Sequence, residues 1–127
     1  MQSLSSIKVF TRENRYQILT KIYNLPKFLG EINNGLLYII FDDYRYLFRI
    51  LFFINNEYNF KFIFENKDGK IILDFEIKLC LEKEGYEVHV RLSTTSNKLL
   101  DILNYIKTRL NYYLINNDNN YDQFKLL

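Results

Sequence analysis

Alanine and tryptophan are absent from this 127-residue sequence, which holds one cysteine, one histidine, one proline and four glycines. Each scarcity removes a class of explanation. With Cys80 alone, no disulfide can form within the chain, so the fold owes nothing to oxidation. One histidine and one cysteine make transition-metal coordination improbable. Four scattered glycines provide no phosphate-cradling loop, and no cofactor is implied. The 17 basic residues are interspersed with 15 acidic ones for a net charge of +2, a balance that argues against a nucleic-acid partner. The longest apolar stretches are broken by Arg45, Arg49, Asp74 or Glu76 before they reach membrane-spanning length. The start, Met1-Gln2-Ser3-Leu4-Ser5-Ser6, has no charged segment followed by an apolar run and does not resemble a leader peptide. The expectation is a soluble, cytoplasmic chain with no stable membrane insertion.

What remains is abundant in Ile, Asn, Lys, Phe and Tyr. A composition 48% hydrophobic and 25% charged is that of a globular protein, and the length suits one domain. Residues 1–116 are read as that domain and 117–127 as a flexible tail.

Periodicity orders the elements. Ser6 to Thr11 alternates as a first strand. Thr11 is placed to cap a helix from about Glu13 to Asn24, whose Tyr16, Leu19, Ile22 and Tyr23 share one face. Leu25-Pro26 ends it, and a second short helix follows from Lys27 to Ile32. Strands then run from Leu36 to Asp42, Tyr44 to Ile54, Glu57 to Glu65, Ile71 to Glu82 and Tyr86 to Leu92, separated by Asp, Asn and Gly turns. Ser93-Thr94-Thr95-Ser96 supplies capping hydroxyls, and from Asn97 to Ile115 the period becomes helical. Leu99, Ile102, Leu103, Ile106, Leu110, Tyr113 and Leu114 form its apolar stripe.

Short turns between consecutive strands imply an antiparallel meander. A strand of about twelve residues is roughly 40 Å long, and a helix of about nineteen residues roughly 28 Å. One helical stripe cannot cover a flat sheet of such strands, so the sheet must curl around the helix. The predicted fold is α+β: a curved antiparallel sheet of about six strands wrapped around one long C-terminal helix, with two short helices after the first strand.

This order resembles the helix-grip superfamily, which includes START lipid-transfer domains, the birch-pollen-allergen type and polyketide cyclases. The segment from Arg15 to Gly30, RYQILTKIYNLPKFLG, is similar to its early helical signature, and the likeness spans roughly residues 5–116. Among members, the chain looks most like compact proteins of thermoacidophilic archaea. The resemblance implies an apolar cavity between sheet and helix that binds or carries a lipid, isoprenoid or polyketide-like molecule. It also admits a cyclase or aromatase-type enzyme, or a protein-interaction module working through the outer sheet face.

The residues themselves favour binding over catalysis. Phe48, Phe52, Tyr58, Phe60, Phe62, Phe64, Phe75 and Tyr86 alternate inward, where rings give rigid apolar walls and a Tyr hydroxyl can orient a ligand. Phe48, Phe52, Tyr58, Phe60, Phe62, Phe75 and Tyr86, with Ile106 and Leu110 from the helix, are the candidate ligand contacts. Their plainer role is to fill a close-packed core. No catalytic or metal-binding residue is assigned. His89 falls outward with Glu87 and Arg91, Cys80 lies on the polar side of its strand, and Asp42-Asp43 suits a turn. Arg45 and Arg49 share an outer face with Leu47, Leu51 and Phe53, and the partly apolar exterior points to a homodimer.

Overall fold

The structure, a computed structural model, describes residues 3–115; the tail assigned to 117–127 lies outside them. Strand β1 (Ser3–Thr11) leads to helices α1 (Arg15–Tyr23) and α2 (Leu25–Leu29). Strands β2 (Glu31–Asn33), β3 (Leu36–Phe41), β4 (Tyr44–Asn56), β5 (Asn59–Glu65), β6 (Ile71–Glu82) and β7 (Gly85–Thr94) follow. A 3-10 turn, Asn97–Leu99, opens the long helix α3 (Leu100–Ile115). The strands form one antiparallel sheet in the order β1-β7-β6-β5-β4-β3-β2, curled into a half-barrel. The meander is continuous from β2 to β7, and β1 closes on β7 with Ile7 opposite Val90 and Val9 opposite Val88.

Among the described residues the strands number seven, one more than the periodicity predicted. The addition is β2, which occupies residues expected to end the second helix. That helix stops at Leu29 because Glu31, Ile32 and Asn33 pair instead with Tyr38, Leu37 and Leu36. The Asn34-Gly35 turn makes this pairing possible, since both residues hold positive φ (55° and 77°), as a two-residue hairpin turn requires. Asp42-Asp43 does the same between β3 and β4, with φ of 52° and 65°.

The cap of α1 is also displaced from its expected place. Asn14, not Thr11, is the cap: its Oδ1 accepts from the Gln17 amide at 2.9 Å, and the Gln17 side chain accepts from the Asn14 amide at 3.0 Å. This reciprocal pair satisfies two amides that a helix start otherwise leaves without partners. Pro26 belongs to the first turn of α2, where its missing N–H costs nothing. Ser96 precedes the 3-10 turn without a side-chain capping bond.

One core joins sheet and helices. Phe48, Phe64 and Phe75 are almost wholly buried, as are Leu37, Ile39, Leu73, Ile77, Leu92, Ile22, Leu25, Ile102 and Ile106. Burying each such side chain contributes roughly 1.5–3 kcal/mol. The axis of α3 runs nearest β1 and β7 and touches α2, so the aromatic inner face of β4, β5 and β6 looks across the curl toward the helix. Backbones approach closely where β7 begins: a Cβ on Gly85 would sit 2.1 Å from the carbonyl oxygen of Thr11.

Candidate functional site

The inner face of the sheet is an aromatic wall. Register places Phe62 beside Phe52 on β4 and Phe75 on β6, and Phe64 beside Ile50 and Leu73. The rings touch in sequence across strands: Phe52 to Phe62 at 4.5 Å between centroids, Phe64 to Phe75 at 4.8 Å, and Phe48 to Phe64 at 5.9 Å. These are contact distances for offset and tilted pairs. Of the candidate ligand contacts, Phe48, Phe60, Phe62 and Phe75 are buried in this wall, and Phe52 is half-buried at its margin. Ile106 and Leu110 are fully buried on α3. Tyr86 is half-buried opposite Thr11 and Leu81, at one end of the sheet.

Tyr58 departs from its predicted inward position. It lies in the β4–β5 turn and is 38% exposed. The cause is local: Asn56 Oδ1 accepts from the Tyr58 amide and from Asn59 Nδ2, each at 2.8 Å, turning the chain one step before Tyr58 can join the strand. Leu81, near the far end of β6, is exposed although it alternates with the buried Leu79 and Ile77.

Sequence reasoning missed a polar cluster inside the grip. Glu13, just before α1, is buried and pairs with Lys21 Nζ at 2.8 Å. Thr11 donates its hydroxyl to Glu13 Oε1 at 3.1 Å and accepts from the Glu13 amide. Tyr113 of α3 donates its hydroxyl to the Lys21 carbonyl at 2.9 Å, and Lys21 Nζ lies 3.4 Å from the Tyr113 carbonyl and faces its ring. Burial, aided by the Glu13 carboxylate, pushes the Tyr113 hydroxyl well above the usual tyrosine value. The cluster ties the end of β1, helix α1 and helix α3 together. Glu13 and Lys21 stand eight residues apart, and nothing in their spacing announces the pair.

Three aromatic clasps join the helices to one another and to the sheet. Phe28 of α2 stacks on Tyr113 of α3 at 4.3 Å, Phe41 of β3 meets Tyr105 of α3 at 5.1 Å, and Tyr23 of α1 meets Phe52 edge-on at 5.5 Å. Arg109 lies between the first two. Its guanidinium covers Phe28 at 4.8 Å and Tyr105 at 5.6 Å and donates to the Phe28 carbonyl at 2.9 Å. Its buried Nε has no hydrogen-bond partner among the described residues. An open cleft of about 480 Å³ runs past these groups, bounded also by Lys27, Tyr38, Ile40 and Arg45. The available signal was the four-residue spacing of Tyr105, Arg109 and Tyr113, which sets them on one helical face.

The outer face carries different chemistry. His89 Nε2 sits 2.6 Å from Glu87, between Lys8 and Lys78 on the neighbouring strands. Lys61 bridges to Asp74 at 3.1 Å, within a larger set of exposed charges. Cys80 is a half-buried free thiol on the same face. Among the described residues no cluster of three or more His, Cys, Asp or Glu side chains is arranged to hold a metal ion. No described helix is long and apolar enough to cross a membrane.

No protein-family model matches the chain, and no curated protein matches it significantly. Solved structures do. Ara h 8.0201, of the Bet v 1-like helix-grip fold, superposes with a TM-score of 0.58 at 8% identity, over 90% of this chain and 93% of that one. Protein Ms6760 from Mycobacterium smegmatis gives 0.52 at 12% identity, over 87% of each chain. A protein from Rhizobium leguminosarum gives 0.50 at 9% identity, over 90% and 95%. At these identities the likenesses show the fold alone, and they carry nothing for the archaeal resemblance. The chain has the helix-grip fold.

Proposed function

We propose that this protein binds an apolar small molecule, such as a lipid, isoprenoid or polyketide-like compound, between the sheet and α3. The observation that carries this reading is the continuous aromatic wall from Phe48 to Phe75, faced by Ile106 and Leu110. Apolar burial supplies affinity. Because the deep rings already touch, the ligand enters at the margin, where Phe41, Tyr46, Phe52, Tyr105 and Tyr113 are only partly buried. The three clasps are the groups that must part. Similarity to the helix-grip structures supports the container shape, and the binding claim itself rests on the wall.

A cyclase or aromatase role needs acid–base groups free to meet a substrate. The buried charged side chains described here are Glu13 and Lys21, and they are engaged with each other. Binding without chemistry is therefore preferred. The test is native mass spectrometry of the purified protein with solvent extraction, followed by titration with a fluorescent fatty acid. Micromolar probe binding that Phe52→Arg weakens supports the reading. A clean apo mass together with no probe binding overturns it.

A further inference from the structure

We infer that the ligand of the grip is an acid, whose oxyanion head group, a carboxylate or phosphate, docks on Arg109 in the cleft between α2, β3 and α3. The inference rests on the proposal that an apolar molecule binds between sheet and helix, and it adds the polar end of that molecule. Lys27, Arg45 and Arg109 line this cleft of about 480 Å³, against one carboxylate, Glu31, which leaves two positive charges unbalanced. Among the described residues none of these four side chains is in an ion pair. Elsewhere Lys21, Lys61 and Arg91 each meet a carboxylate.

Exposed cations are ordinarily solvated, so Lys27 and Arg45, both exposed, would carry little by themselves. Arg109 is different. It is half-buried, with its guanidinium held against the Phe28 and Tyr105 rings and by the Phe28 carbonyl. Its buried Nε–H has no acceptor among the described residues, and a buried donor left unmet is costly. A carboxylate or phosphate matches the planar fork of N–H donors that a guanidinium offers. Because the rings already hold this side chain, little of its freedom remains to be lost on binding. Arg45 is steadied in the same way, over the Tyr38 ring at 4.2 Å. Position makes the anion one end of a longer molecule. Tyr105, against which Arg109 lies, also forms the clasp with Phe41, at the margin where the apolar chain is proposed to enter. The next residue after Arg109 is Leu110, fully buried in the core. A head group on Arg109 therefore leaves its tail at the start of the apolar path. A free inorganic anion would gain nothing from that path, and a neutral molecule would leave the Nε–H unmet.

Displacement of Nile red, a neutral fluorescent probe, by decanoate, decyl phosphate and 1-decanol tests the idea on the full chain at neutral pH. The two acids should bind about tenfold or more tightly than the alcohol of the same length, with an advantage that shrinks as salt rises. Arg109→Gln should cut the ratio of acid to alcohol affinity. Because that change also removes a bond to α2, the exposed Arg45→Gln provides a second variant and should lower the ratio by a smaller factor. Lys83→Gln, in the turn between β6 and β7, should leave the ratio as it is. Equal affinity for acid and alcohol overturns the inference while the binding proposal stands. A preference for acids that survives Arg109→Gln and Arg45→Gln together does the same. Inorganic phosphate that displaces decanoate as effectively as decyl phosphate does marks a site for the free anion and also overturns it. If neither Nile red nor any of the three amphipaths binds, the binding proposal itself falls, and this inference with it.

Discussion

Removing the Lys21 ammonium tests whether the buried cluster holds the helices to the sheet. Lys21→Met keeps most of the stem's volume but leaves the Glu13 carboxylate, whose side chain is 1% exposed, without its ion partner. One carboxylate oxygen, Oε2, already lacks a hydrogen bond, and Oε1 would keep only the Thr11 hydroxyl among the bonds described. Breaking a buried pair from one side costs about 3–5 kcal/mol, because the remaining charge stays desolvated. For a domain of this size that is a fall of roughly 12–20 °C in Tm. Glu13→Gln strands the ammonium instead and is costly for the same reason. The double variant leaves no lone charge, so it should be markedly more stable than the sum of the single losses requires. Urea unfolding followed by circular dichroism gives all three values in one cycle. The reasoning fails if Lys21→Met costs less than about 1 kcal/mol, or if the two losses simply add.

Three further outcomes follow from the geometry. Tyr113 keeps its proton in the fold while an unfolded tyrosine releases it near 10.0, so stability present below that pH should fall as pH rises above it. Tyr113→Phe should flatten this alkaline loss and cost about 1 kcal/mol at neutral pH, both read from urea titrations across pH. Phe28→Ala removes the α2–α3 stack and should speed release of a bound fluorescent fatty acid by up to about tenfold in stopped flow; an unchanged rate would show that this clasp is not the gate. Gly85→Ala drives a Cβ into the Thr11 carbonyl and should cost about 1–3 kcal/mol in calorimetry.

Where a residue's place follows from its near neighbours, the sequence was legible. Phe60, Phe62 and Phe64 alternate, and each is buried as its period requires. The α3 stripe was equally plain, with Ile102, Ile106 and Leu110 fully buried. Legibility failed where a short-range competitor or a distant partner decides. Asn56 captures the Tyr58 amide and ends a strand that pattern alone would continue. Three residues at Glu31 make a strand only because Asn34 and Gly35 accept positive φ and fold them onto β3. Thr11 was given the capping role, but it is committed to Glu13, and Asn14 with Gln17 caps the helix instead. At the candidate site the wall could be foreseen. The clasps Phe28–Tyr113 and Phe41–Tyr105 and the pair Glu13–Lys21 join segments that only the finished topology brings together.

That topology also sets a timetable for synthesis. Among the described residues, the one strand beside β1 is β7, with Ser3 opposite Thr94 at one end and Thr11 opposite Tyr86 at the other. At a translation rate of about 5–20 residues per second, the first strand leaves the ribosome several seconds before its partner exists. Throughout that interval the hairpins from β2 to β6 can form from neighbours alone, while Ile7 and Val9 have nothing to cover them. The sheet is completed from its two chain-distant ends at once, and the grip closes only when α3 arrives behind β7. Strand β1 is thus made before the other described strands and is among the last to find its place.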